Sequence, residues 1–134
     1  MIEHVPDPQA FLAKCREVLK PDGRIIMVTP NHLSIDRFLF GKYWAGYHFP
    51  RHMYVFNHQN LSAILEHVGF KDISTKGSYS FWYLSLANRL LDLPGTKKRG
   101  LGFAAITALF LPFDMLFNLF RCHGSMTVRA RKMI

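Results

Sequence analysis

Cysteine is nearly absent from this sequence. Cys15 and Cys122 are the only two in 134 residues and form no C-x-x-C spacing, so neither a disulfide scaffold nor a structural zinc site is indicated. Acid is also short, with 9 Asp+Glu against 17 Lys+Arg, and the resulting charge of +8 suggests contact with something anionic. An anionic membrane face or an acidic metabolite would satisfy it. Nucleic acid is set aside, because the cations are scattered and no recognition-helix pattern occurs. Residues Met1-Ile2-Glu3-His4-Val5-Pro6 contain no basic segment and no apolar one, so no signal peptide is expected and a reduced cytoplasmic setting is. Repeats and low-complexity tracts are missing too. What is plentiful is apolar and aromatic material, 49% hydrophobic with 12 Phe and 5 Tyr, which excludes intrinsic disorder and leaves one compact domain at most.

Asp7-Pro8 opens the first readable element. Asp7 can accept from free amides at a helix start, and Pro8 fits a position where no amide is needed. Phe11, Cys15, Val18 and Leu19 then share one helical face, up to the stop at Pro21-Asp22-Gly23. Residues 24–29, Arg-Ile-Ile-Met-Val-Thr, form an unbroken apolar run, as expected for a strand covered on both faces. Helix, tight turn and strand together indicate an α/β fold, in which ligands gather at the carboxyl ends of strands.

Residues 31–56 follow that strand end and hold eight aromatics among three histidines, an arrangement expected of a lid or substrate wall. A helix capped by Asn57 should bury Leu61, Ile64, Leu65 and Val68 and stop at Gly69, with a short strand in 71–76. Residues 78–122 read as an apolar helical hairpin. Phe81, Trp82, Leu84, Leu86, Leu90 and Leu91 mark its first arm, Lys97-Lys98-Arg99 its tip, and 101–120 its second arm. Pro112 and Asp114 argue against a membrane span, so the hairpin is expected to lie on a membrane surface, close over a pocket, or cover a dimer face. Residues 125–132 alternate with period two, as in a strand with one solvated face.

Several of these pieces together look familiar. Glu3-His4-Val5-Pro6-Asp7-Pro8, Leu19-Lys20-Pro21-Asp22-Gly23-Arg24, Thr29-Pro30-Asn31, Trp44-Ala45-Gly46 with Pro50-Arg51-His52 and Phe56, and Gly69-Phe70 resemble class I S-adenosylmethionine-dependent methyltransferases. The likeness is to the group that includes the ubiquinone-biosynthesis O-methyltransferases, and Gly124-Ser125 with Ala130-Arg131-Lys132 is similar to the closing strand. By this resemblance residues 1–134 are the C-terminal half of a Rossmann-like fold, carrying the fifth, seventh and sixth strands with flanking helices, and the hairpin is an insertion before the last strand. The glycine-rich cofactor loop of that family has no counterpart here, since no G-x-G-x-G run occurs. The resemblance therefore implies S-adenosylmethionine as cofactor of a complete domain, with this chain inactive alone. The implied acceptor is a small or lipid-linked molecule, methylated on oxygen or nitrogen. The alternative is a non-catalytic membrane-associated or partner-binding module.

In the resembling ubiquinone enzymes a Glu-x-x-Glu-His pattern holds a divalent cation, and Glu3-His4 matches its last two members. Glu3 and His4 are thus implied metal ligands, with the alternative that they only position the loop. His4 and His52 are candidate general bases, their ordinary pKa lying near neutrality. Arg51 could clamp a carboxylate or phosphate, or pair with Asp36. Asn31, Trp44 and His48 complete the expected acceptor-binding set, while His32, His58, His67 and His123 are assigned solvated or structural places.

Overall fold

The computed structural model describes residues 1–78, 82–92, 100–119 and 123–133. Helix α1, Pro8–Val18, begins where Asp7 accepts a hydrogen bond from the Ala10 amide with Pro8 at its first turn. It leads into strand β1, Arg24–Pro30. A short helix α2, Ile35–Phe40, and single 3-10 turns at Gly41–Tyr43 and Ala45–Tyr47 fill the segment that follows. Helix α3, His58–His67, is closed by a reciprocal capping box between Asn57 and Asn60, and strand β2, Phe70–Gly77, leaves it through Gly69 at φ 92°. Helices α4, Trp82–Leu90, and α5, Leu101–Leu119, pack on each other before strand β3, Ser125–Lys132.

The sheet order is β1-β3-β2, with β3 in the middle and antiparallel to both neighbours. Strands β1 and β2 therefore run parallel, and their carboxyl ends share one edge of the sheet. Met27, Met126, Val128 and Ala130 meet Ile2, Leu12, Leu61, Leu65 and Phe70 in the core, so α1 and α3 cover the same face. The period-two pattern of β3 is as expected, with Met126, Val128 and Ala130 buried and Arg129 exposed.

Three expectations need correction. Val18 is 78% exposed because α1 ends there, and Leu12, which the expected face omitted, is its fully buried anchor. Strand β1 is not covered on both faces, since Ile26 is 63% exposed and Val28 is exposed too. Among the described residues, the helices packed on the sheet sit on the opposite face. The first hairpin arm buries Ser85, Ala87 and Asn88 rather than its leucines, Leu90 and Leu91 being exposed. The reason is polar: Ser85 accepts from the Ala45 amide at 2.9 Å and Asn88 donates to the Tyr43 carbonyl at 3.0 Å. Phe81, the tip Lys97-Lys98-Arg99, Cys122 and the side chain of Asp114 lie outside the described residues. No described helix is long and apolar enough to cross a membrane.

Candidate functional site

Two distant segments close on each other at the carboxyl end of β1. The Glu3 carbonyl accepts from the amides of Met53 and Tyr54 at 2.8 and 3.3 Å, and the Tyr54 hydroxyl donates to the Pro6 carbonyl at 2.7 Å. A parallel bridge between Asn31 and Phe56 holds the second segment beside the strand end. Glu3, 7% exposed, sits between them and accepts from the Thr29 hydroxyl at 3.1 Å. Burial works against its ionisation, but hydrogen bonds from the Met1 ammonium, a backbone amide and Thr29 outweigh that and hold its pKa below the ordinary value. Glu3 is therefore a carboxylate at neutral pH.

His4 and His52 meet edge to face beside it, ring centroids 4.7 Å apart, with His48 5.1 Å beyond His52. Nδ1 of His4 lies 2.7 Å from the Arg51 carbonyl, and Nδ1 of His52 lies 2.7 Å from the Gly46 carbonyl. A carbonyl only accepts, so each Nδ1 carries a proton, and in the neutral ring the lone pair is then on Nε2. Burial pulls the His52 pKa down, against the Gly46 hydrogen bond and the Glu3 charge, which push it up. His52 is thus a neutral base at neutral pH. The ligand atoms of Glu3, His4 and His52 all lie within 4.8 Å of one another, and Nε2 of His4 is 3.6 Å from a Glu3 oxygen. One carboxylate and two imidazoles, both oriented by backbone carbonyls, form a donor set that fits a divalent transition ion.

The depressed His52 pKa has a consequence for stability. The folded protein binds this proton less readily than the unfolded chain, whose histidine titrates near 6.5. His52 therefore costs no stability above that value, and stability is lost as pH falls from there through the folded-state pKa. Between about pH 7.5 and 5.5, His52→Gln should lose less of its melting temperature than the parent chain. Parallel melting curves for the two proteins would remove His52 as the source of this acid sensitivity.

A cavity of about 700 Å3 opens at the shared carboxyl edge of β1 and β2. Asn31, Ser34 and Ile35 line it from the β1 side, Thr75, Lys76 and Gly77 from the end of β2, and His123 from the approach to β3. The expected acceptor residues therefore scatter. Asn31 reaches the cavity, and His48 and His52 stand at the cluster. The Arg51 side chain is exposed, and it is its carbonyl that touches the cluster. Trp44 is fully buried and packs edge to face on Tyr47, so it is core and not wall. Asp36, the alternative partner of Arg51, is buried at the start of α2. His52 joining Glu3-His4 as a third donor, and Lys76 and His123 lining the cavity, were not foreseen. The usable signal was that 76–77 and 31 end strands on one edge, and it becomes visible only once the sheet order is known.

Comparison with known proteins follows the same outline. The family model described as a methyltransferase domain matches residues 1–75. A ubiquinone biosynthesis O-methyltransferase of Cereibacter sphaeroides is 29% identical over 102 residues, covering 69% of this chain and 41% of that protein. One from Pasteurella multocida is 52% identical over 31 residues, 23% of this chain and 13% of that protein. The chain thus spans less than half the length of these curated relatives. Among solved structures, an S-adenosylmethionine-dependent methyltransferase from Archaeoglobus fulgidus superposes with TM-score 0.55 at 18% identity, over 98% of this chain and 56% of that one. Haemonchus contortus phosphoethanolamine N-methyltransferase 2 does so with TM-score 0.54 at 17% identity, over the whole of this chain and 32% of that one. At these identities the likeness is one of fold.

Proposed function

Because the chain belongs to the methyltransferase domain family, we propose that it supplies the acceptor side of an S-adenosylmethionine-dependent methyl transfer to an oxygen or nitrogen. Methyl transfer asks a protein for alignment of the methyl group with an acceptor lone pair and for removal of one proton. The observation that supports this reading is the pair of imidazoles at the carboxyl end of β1, each held in the Nδ1–H form by a backbone carbonyl. Nε2 of His52 takes the acceptor proton, and the Gly46 carbonyl steadies the imidazolium that forms. The Glu3 carboxylate, which accepts from the Thr29 hydroxyl, offsets that new charge. In the alternative arrangement Glu3, His4 and His52 would hold a divalent cation, which in place of His52 as base would lower the pKa of an acceptor hydroxyl. S-adenosylmethionine supplies the methyl group and is held by a glycine-rich half of the domain.

The test is to read the DNA upstream of Met1 for a frame encoding G-x-G-x-G and to assay the joined polypeptide for transfer of labelled methyl. Transfer to a phenol or amine panel is expected, falling by about 10²–10⁴-fold in His52→Ala, the usual worth of a general base. Transfer that survives His52→Ala unchanged would take the proton-acceptor role from His52. No transfer to any acceptor would favour a non-catalytic module.

A second observation supports a lipid-linked acceptor met at a membrane surface. Helix α4, which adjoins both α2 and α5, and these two neighbours leave Phe38, Leu39, Leu90, Leu101 and Leu109 exposed, Leu101 by 88%. Lys97-Lys98-Arg99 stand between α4 and α5 in the sequence. Each cation near an anionic bilayer contributes about 1 kcal/mol, and neighbouring leucines can enter the interface. Vesicles containing anionic lipid should carry the protein in flotation, with a Lys97, Lys98 and Arg99 to alanine variant carried less. Equal recovery with neutral vesicles would make the hairpin a packing or dimer surface instead.

A further inference from the structure

The chemistry of the 700 Å3 cavity is one-sided. Among the described residues lining it, none is acidic and every polar side chain can donate. Lys76 ends β2 exposed and takes part in no ion pair among the described residues. The Asn31 carboxamide already accepts, at Oδ1, from the Leu33 amide at 3.1 Å, which leaves its NH₂ to donate. Ser34 Oγ likewise accepts from the Arg37 amide at 3.3 Å and keeps its own proton for another partner. His123 brings a buried Nδ1 with no hydrogen-bond partner. Its ring is pressed against the backbone of Gly77, where a Cβ would come within 1.8 Å of Cδ2, so the imidazole is held in place. Beside these donors, Leu33 and Ile35 present apolar side chains, 43% and 53% exposed.

We propose that this cavity binds an oxyanion, a phosphate or carboxylate group, carried by a small molecule with an adjoining apolar part. Donors without a competing acid favour an acceptor-rich, negatively charged head. Leu33 and Ile35 supply the wall for hydrocarbon, and the volume suits a small-molecule ligand. On the reading that methyl transfer takes place at His4 and His52, the oxyanion is the remote handle of the acceptor.

The test needs neither cofactor nor turnover, so it can fail or succeed independently of the methyl-transfer assay. The whole chain is titrated in phosphate-free buffer with phenyl phosphate, benzoate and benzyl alcohol, following amide and imidazole NMR signals. Saturable shifts at Asn31, Ser34, Thr75 and His123 are expected with an oxyanion, and the tighter of phenyl phosphate and benzoate identifies the head group. Benzyl alcohol should bind at least roughly tenfold more weakly, the worth of one charge-assisted contact. Lys76→Gln should weaken the oxyanion roughly tenfold and leave benzyl alcohol unchanged, while Lys20→Gln, an exposed charge elsewhere, should change neither. The proposal is overturned if benzyl alcohol binds as well as the anions, if Lys76→Gln and Lys20→Gln act alike, or if the shifts map elsewhere.

Discussion

Replacing Trp44 by alanine is expected to cost the fold about 3–5 kcal/mol, the usual penalty for removing a large buried aromatic. The indole is 0% exposed. It meets Tyr47 edge to face at a centroid distance of 5.1 Å and His32 at 6.4 Å. It also lies against the backbone of Gly46, where a Cβ would come within 2.3 Å of the ring. On either side the chain is pinned to α4, through the Ala45 amide and the Tyr43 carbonyl. The cavity left by Ala at 44 therefore has little freedom to collapse. Against a total stability of about 5–15 kcal/mol, such a loss would leave the protein marginal or unfolded at 37 °C. Urea denaturation measures it directly, with Trp44→Phe expected to keep most of the stability. Should Trp44→Ala lower the unfolding free energy by less than about 1 kcal/mol while acceptor binding disappears, Trp44 would be a substrate wall after all.

Titrating the 134-residue chain with S-adenosylmethionine is expected to give no saturable binding below the millimolar range, or roughly 4 kcal/mol or less of binding free energy. A cofactor of that size is held where glycines let the backbone approach it closely. This sequence contains no G-x-G-x-G run. What the described residues offer instead, the imidazole pair and the donor-lined cavity, suits an acceptor. A micromolar constant from calorimetry would mean that the cofactor is held by other residues of this chain, and would end the view of it as an acceptor-side half.

Much of the frame was legible from residues in order. Asp7-Pro8 opens α1, Asn57 caps α3, Gly69 stops it at positive φ, and 125–132 alternates as a strand does. The three helix ends depend on partners within four residues and the strand on its own alternation of side chains, so the chain's local order makes them legible. Glu3 and His4 were legible as a pair for the same reason, being adjacent. That His52 completes the cluster was decided by tertiary structure alone. It requires the Glu3 carbonyl to meet Met53 and Tyr54, contacts that cross about fifty residues. Trp44 and Ile26 show the same division. Both are apolar residues in apolar company, and whether each is buried depends on which helix faces it, α4 over the Trp44 turn and none described over Ile26. Composition and spacing settle which residues prefer burial and which can donate a proton or a hydrogen bond. Only the packing of distant segments settles which preferences are met, and hence which side chains remain free to bind.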